Sequence, residues 1–354
     1  MSKHPFYIPS LDGMRAVAFL IVFLSHAGLE RMVPGGFGVT IFFFLSGYLI
    51  TTLMRREFGK SGRIDFKQFY IRRMLRIWPS FYFVLGLGAL LTLAGFLPGE
   101  IRTMPFLSQV LHVANYYSIY HGNDGMALGT GVYWSLAVEE HFYIIFPFVY
   151  LLLARMGVKA RGQVLVFLLL SLAVLAWRYH LFVRLGVDAH RTFYASDTRV
   201  DSILFGCILA VWGNPMLDGH KGSATLWKFV LFPAGLALIG ITLLYRNDDF
   251  RETARYTLQG IALYPIFVTA IRYPEWLPFR LLNGRILRFL GWISYPLYLV
   301  HFTIIQYFAQ SPQPLHPVVQ GVLSFALSLG LAYGIYRFIE QPVARMRKKH
   351  QVVS

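Results

Sequence analysis

Arg15 and His26 stand eleven positions apart inside LDGMRAVAFLIVFLSHAG, the apolar stretch from Leu11 to Gly28. At about 100° per residue this is three turns plus about 20°, so one helix carries both side chains on nearly the same face, about 16 Å apart along its axis. Asp12 and Val22 fall on the same stripe. An ionisable group in hydrocarbon costs at least about 2.5–3.5 kcal/mol, so such groups face a protein interior or a wet cavity, and this helix has a functional side. A second set is Glu139, Glu140 and His141 in YWSLAVEEHFY. Successive helical residues point about 100° apart, so the three cannot share one cavity and at least one points elsewhere. Glu139 lies at a depth like that of His26, and a carboxylate beside an imidazole fixes its tautomer and raises its basicity, as a base acting on a hydroxyl requires. A carboxylate that merely pairs with an arginine is the competing reading.

The third set is Arg72, Arg73 and Arg76 in YIRRMLRIWP. Arg73 and Arg76, three apart, are neighbours on one helix face, with Arg72 adjacent. Two guanidinium forks suit the phosphates of a nucleotide-bearing donor; the same cations also suit anchoring against anionic headgroups, and the residues alone leave both roles open. His301 in SYPLYLVHF is a further intramembrane histidine, fit either for a core hydrogen bond or for catalysis, and Pro296 before it predicts a kink. Ser46–Gly47 in GGFGVTIFFFLSGYLI permits close approach of another helix, a packing role. His112 and His121 have no evident partner. The sequence has no His-Glu-x-x-His pattern, no cysteine cluster and no phosphate loop ending in Gly-Lys-Ser/Thr, so no metal site is expected; the single Cys207 reads as packing.

The elements that must position these groups are membrane helices. Of 354 residues 56% are hydrophobic and only 14% charged, too apolar a balance for a soluble chain of this size. The net charge of +16 then reflects Lys and Arg gathered in cytoplasmic loops, not a nucleic-acid partner. Runs long enough to span fall near 11–29, 37–54, 76–97, 133–154, 162–181, 227–245, 255–272, 286–309 and 317–339, with a shorter one at 201–213. Residues 55–76 carry eight Lys/Arg against two acids. Arg155, Lys159 and Arg161 form a second basic cluster, and Arg345, Arg347, Lys348 and Lys349 a third. Placing all three inside predicts an all-α integral membrane protein of about ten transmembrane helices with both termini cytoplasmic. Residues 104–119 then lie at the outer surface, and Arg184, Arg191 and Arg199 fall outside against Asp188 and Asp197. Lys3 ahead of the first apolar run, with small residues near Ser25–His26–Ala27, imitates a signal peptide, but Arg15 and the next apolar stretch argue for an anchor that stays. No repeat or linker divides the chain, so residues 1–354 are expected to form a single membrane domain with no separate soluble one.

In order, PSLDGMRAVAFLIVFLSHAG, GGFGVTIFFFLSGYLI, FYIRRMLRIWP, YWSLAVEEHFYIIFP, ISYPLYLVH and IEQP resemble the membrane acyltransferase-3 family of O-acyltransferases, from about Pro9 to Pro342. The resemblance implies ten helices in a bacterial inner membrane. It also implies an acyl-CoA-dependent O-acyltransferase moving an acyl group, commonly acetyl, from acyl-CoA to a hydroxyl of a carbohydrate or glycan acceptor. On that resemblance Arg15 and His26 match the family's arginine–histidine pair, Glu139 the first glutamate of its Trp-Ser-Leu-x-Val-Glu-Glu motif, and Arg73 and Arg76 its donor-associated Arg-x-x-Arg. His26 is then a base or an acyl carrier, Glu139 orients it, Arg15 stabilises charge or holds the donor, and Arg72, Arg73 and Arg76 hold the coenzyme; membrane lipids are the remaining partners. The chain departs at Thr40, where many members have Asp, and at His141, where Gln is usual. Many members also carry a periplasmic esterase-like extension, which is not expected within this sequence. The rival class is a transporter or flippase for an acylated or lipid-linked sugar, with Arg15, His26 and Glu139 as a path, but the paired broken helices of many transporters are absent.

Overall fold

The computed structural model describes residues 8–219, 222–311 and 315–348; Lys3 and Lys349, read above as flanking charges, lie outside them. Among the described residues every regular element is helical. In chain order these are α1 (Pro9–Leu24), α2 (Gly35–Ser61), α3 (Phe66–Leu93), α4 (Thr103–Val110), α5 (Ala114–His121), α6 (Trp134–Arg155), α7 (Ala160–Tyr179), α8 (Ala189–Tyr194) and α9 (Ser196–Val211). There follow α10 (Ala224–Leu226), α11 (Phe232–Leu244), α12 (Asp248–Glu252), α13 (Ala254–Arg272), α14 (Leu277–Arg280), α15 (Arg285–Trp292), α16 (Ser294–Ala309), α17 (Pro317–Ile335) and α18 (Gln341–Lys348).

Among the described residues seven helical stretches, some continued through an adjoining turn, are long and apolar enough to cross a membrane: Pro9–Leu29, Gly35–Ser61, Phe66–Leu93, Thr130–Arg155, Ala160–Arg184, Ala224–Leu244 and Pro317–Met346. The chain is an integral membrane protein. The other three expected crossings are helical but shorter, less apolar or interrupted. α9 has 16 residues, about 24 Å at 1.5 Å per residue against a hydrocarbon core of about 30 Å. α13, with 19, is long enough but is made less apolar by Arg255, Thr257, Gln259 and Arg272, and 286–309 is broken at Ile293 into α15 and α16. Pro296 therefore does not kink its helix: it occupies the first turn of α16, where a missing N–H deprives the helix of no hydrogen bond. Residues 104–119 form α4 and α5, eight residues each, turning at His112, whose φ is 56°. The basic stretch 55–76 is mostly helix, because α2 runs on to Ser61 and the Asp65 side chain caps α3 by accepting from the Gln68 N–H at 3.0 Å.

Residue contacts divide the chain into two compact units. The first takes the chain up to Ala18, Gly36–Arg63 and His141–Trp292. Here α2 and α9 cross at two reciprocal glycines: a Cβ on Gly47 would stand 2.0 Å from the Ile203 carbonyl oxygen, and one on Gly206 2.0 Å from that of Phe44. Cys207 is buried at the same crossing, with its Sγ 3.4 Å from the Ile203 carbonyl. Arg178 of α7 and Asp201 of α9 form a wholly buried bidentate pair at 2.7 and 2.8 Å, and Thr257 of α13 bonds to both. Of the three arginines expected in an outer loop, Arg191 pairs with Asp197 and Arg199 is ringed by Phe43, Phe193 and Tyr256 and donates to Thr40 Oγ1 at 3.1 Å, while Arg184 is exposed and lies over the Tyr179 ring.

The second unit takes Phe19–Gly35, Ile64–Glu140 and the chain from Ile293. α3 packs on α16 and α18 within it, and α17 on α16. Most of the sequence-identified residues fall in this unit.

Candidate functional site

His26 does not continue the α-helix that carries Arg15. α1 ends at Leu24, and Ser25–Leu29 form a wide π turn in which Gly28 takes φ 97°. Such a left-handed exit is natural to glycine. Ser25 is buried beside Gly35, where a Cβ would meet its hydroxyl at 2.7 Å. So anchored, the turn presents the half-buried His26 to α16, where His26 Nδ1 lies 3.0 Å from His301 Nε2. The two ring planes differ by 12° and their centroids are 5.2 Å apart. Face-to-face rings would lie closer; this separation is the N···N distance plus about 1.1 Å of ring radius at each end, so the imidazoles meet end to end, nearly in plane, as a directed hydrogen bond requires. Phe302 packs on His26 at 4.5 Å, and Phe19 meets His301 edge-on at 5.6 Å.

His301 is fully buried, and its surroundings are specified in detail. Its Nδ1 lies 2.8 Å from the Tyr298 carbonyl oxygen. The Tyr298 hydroxyl donates to the Val132 carbonyl at 2.9 Å and meets Ser135 Oγ at 2.7 Å. Tyr133 donates to the Leu299 carbonyl at 3.0 Å, and Thr303 to that of Leu128 at 2.8 Å. Gly129, at φ 73°, lets the Leu128–Thr130 backbone come so close that a Cβ would stand 2.3 Å from the Thr303 nitrogen. The Tyr-Trp-Ser opening of one motif thus clamps the helix turn of another. Tyr133, Ser135 and Tyr298 were not singled out from sequence, although a tyrosine in an apolar helix signals a hydroxyl in need of a partner.

The remaining charges fall into separate settings. Glu140 is half-buried within electrostatic reach of Arg73, beside the Trp78 indole and near Tyr82. Of the two neighbouring glutamates it is thus the second that feels an arginine of α3. Arg76 lies within electrostatic reach of Tyr295, whose hydroxyl donates to the Ile77 carbonyl at 2.9 Å. Ser80 Oγ stands 3.4 Å from Glu340 Oε1, tying the closing motif to α3. Arg72 and the half-buried Glu139 sit on α3 and α6 next to these groups in sequence. His141 is the member of its triplet that points elsewhere, bonded through Nδ1 to Ser196 Oγ at 2.7 Å. In the first unit Arg15 pairs with Asp12 at 3.5 Å, and Asp12 also accepts from the Trp292 indole at 2.9 Å. His112 stacks on Phe81 at 4.6 Å and His121 packs on Tyr117 at 4.9 Å. His26 has the α16 histidine, His301, as a hydrogen-bond partner. Among the described residues no group of three or more His, Cys, Asp or Glu could hold a metal ion.

A partly exposed imidazole, backed by a second imidazole that is itself held by a main-chain carbonyl, can take a proton from a hydroxyl and return it. The sequence matches the family described as an acyltransferase domain over residues 8–337. It is 30% identical over 361 residues to the peptidoglycan O-acetyltransferase of Listeria monocytogenes, a match covering 96% of this chain and 56% of that protein. It is likewise 30% identical over 357 residues to a Bacillus subtilis protein named "Putative peptidoglycan O-acetyltransferase YrhL", covering 97% and 56%. The chain thus spans little more than half the length of these curated relatives. No solved structure matches it.

Proposed function

The chain belongs to the acyltransferase-domain family, whose matched relatives are named as O-acetyltransferases, and from that premise we propose that it is an O-acyltransferase drawing on acyl-CoA, with acetyl as the acyl group. The acceptor is a hydroxyl of a carbohydrate or glycan. The observation that carries this reading is the His26–His301 pair, an imidazole hydrogen-bonded at one nitrogen and partly exposed. His26 is the general base: it removes the acceptor's hydroxyl proton while the oxygen attacks the acyl carbon. The C–S bond then breaks, and the proton passes to the departing thiolate. Arg73 and Arg76, with Arg72 beside them, hold the donor's phosphates, Arg73 doing so while attracted to Glu140. Arg15 and Glu139 are the further site residues, Arg15 supplying positive charge where negative charge develops on the acyl oxygen. The ten-crossing topology with cytoplasmic termini, the single membrane domain and residence in a bacterial inner membrane complete the proposal; they are supported by the seven apolar spans and the distribution of Lys and Arg.

The test is turnover of labelled acetyl-CoA by the purified protein in lipid nanodiscs with glycan acceptors of defined length. Base catalysis supplies about 10²–10⁴-fold, so His26→Ala is expected to lose at least 10²-fold in kcat while still binding CoA. Full activity in that variant would end the assignment. Arg76→Ala is expected to raise the KM for acetyl-CoA before it lowers kcat.

A further inference from the structure

Neutral imidazole has one nitrogen that donates and one that accepts, and the structure leaves little choice about which is which in the His26–His301 pair. The Tyr298 carbonyl can only accept, so His301 Nδ1, 2.8 Å away, carries the proton. The neutral ring then has its lone pair on Nε2. His26 Nδ1 lies 3.0 Å from that nitrogen, in line and nearly in plane, so it must be the donor. We infer that His301 is the positioning residue of the site: by way of the Tyr298 carbonyl it sets the tautomer of His26, with the proton on Nδ1 and the basic lone pair on Nε2.

The arrangement is directional. His301 is fully buried under Phe19, Tyr298 and Phe302, whereas His26 is partly exposed, so substrate meets only the latter. When His26 Nε2 takes the acceptor's proton, the ring becomes a cation and its bond to His301 Nε2 becomes charge-assisted and stronger. No proton has to change sites between the two rings for this to happen. A main-chain carbonyl is the ultimate anchor, one that side-chain substitution does not remove; Tyr133, Ser135 and Thr303, which hold the same helix turn to residues 128–135, keep it in place. Without His301 the isolated His26 ring is free to take the other tautomer, with a proton on the nitrogen that must be basic.

This inference rests on His26 being the base, and its test separates the two claims. The full chain, labelled with nitrogen-15 at histidine and reconstituted in lipid nanodiscs, is examined by solid-state NMR, with His26→Ala and His301→Leu used to assign the resonances. In the unmutated protein the neutral rings should show protonated Nδ1 and unprotonated Nε2 at both positions. His301→Leu should lower kcat about 10²-fold with the KM for acetyl-CoA within twofold, and should return the Nε2-protonated form of His26. His301→Gln can donate its amide to Tyr298 and accept from His26, so it should recover at least tenfold of that loss. A proton on His26 Nε2 in the unmutated protein overturns the inference without recourse to any variant. Equal activity of the Leu and Gln variants also overturns it. Should His26→Ala remain active, the base assignment fails while the tautomer measurement still decides what His301 does.

Discussion

Gly129→Ala puts the clamp on α16 to a direct test. Gly129 has φ 73° and its missing Cβ would lie 2.3 Å from the Thr303 nitrogen, 2.4 Å from its Cα and 2.7 Å from the Phe302 carbonyl carbon. Comfortable carbon contacts begin near 3.5 Å, so either the Leu128–Thr130 segment or the helix turn after His301 must retreat by about 1 Å. These are backbone atoms, and no rotamer change relieves them. Left-handed backbone at a residue with a Cβ costs about 1–2 kcal/mol, and overpacking of this kind about 1–3 kcal/mol, giving about 2–5 kcal/mol in all. The displaced turn carries His301, and a misplacement near 1 Å costs on the order of 10²-fold in rate. The assay pairs a thermal-shift midpoint with kcat for acetyl transfer in nanodiscs, using Gly330→Ala on α17 as the control, since a Cβ there meets open space. The control should match or slightly exceed the parent in stability. Should Gly129→Ala melt and turn over as the parent does, then the close approach of residues 128–130 to Thr303 does not hold the histidine turn, and the reasoning from that contact is refuted.

Other outcomes follow from the first unit. Arg178→Ala leaves the fully buried Asp201 carboxylate without its bidentate partner and is expected to cost about 3–5 kcal/mol, seen as a lower thermal midpoint or loss of folded protein on size exclusion; replacing both members of the pair with apolar residues should be far milder than either single change. Gly47→Ala and Gly206→Ala each drive a methyl to 2.0 Å from a carbonyl oxygen of the facing helix, so both should sharply reduce the yield of monodisperse protein, whereas Gly59→Ala, with nothing nearby, should not.

The local character of the fold was legible from the chain alone. Apolar runs marked the helices, Ser46–Gly47 marked a close crossing, and the triplet Glu139–Glu140–His141 required a divergence that His141 supplies by bonding to Ser196. Long-range pairings were not legible. His26 and His301 are 275 positions apart, and periodicity reports which face a residue is on, never what stands opposite. The partner of Gly47 is Gly206, in a stretch distinguished only by being apolar. Charged α9 looked too short to cross because its first turns are spent on Asp197, Arg199 and Asp201, each matched to a neighbour that only the fold supplies. Asp12 was visible on the stripe of Arg15, but the Trp292 indole that also engages it, 280 positions away, was not. Expecting a kink at Pro296 failed for a local reason: proline disrupts helix interiors, and the chain had already broken at Ile293.

The π turn at Ser25–Leu29 makes the position of His26 a matter of counting as well as chemistry. Losing Ser25, the single residue between Leu24 and His26, would rotate the imidazole about the axis and draw it back towards α1, out of line with a partner whose own helix is fixed elsewhere. Many substitutions of neighbouring side chains would leave that alignment intact; a single deletion would not. Among chains of this kind, length between the end of the first helix and its histidine should therefore be guarded more strictly than the identity of the residues that fill it.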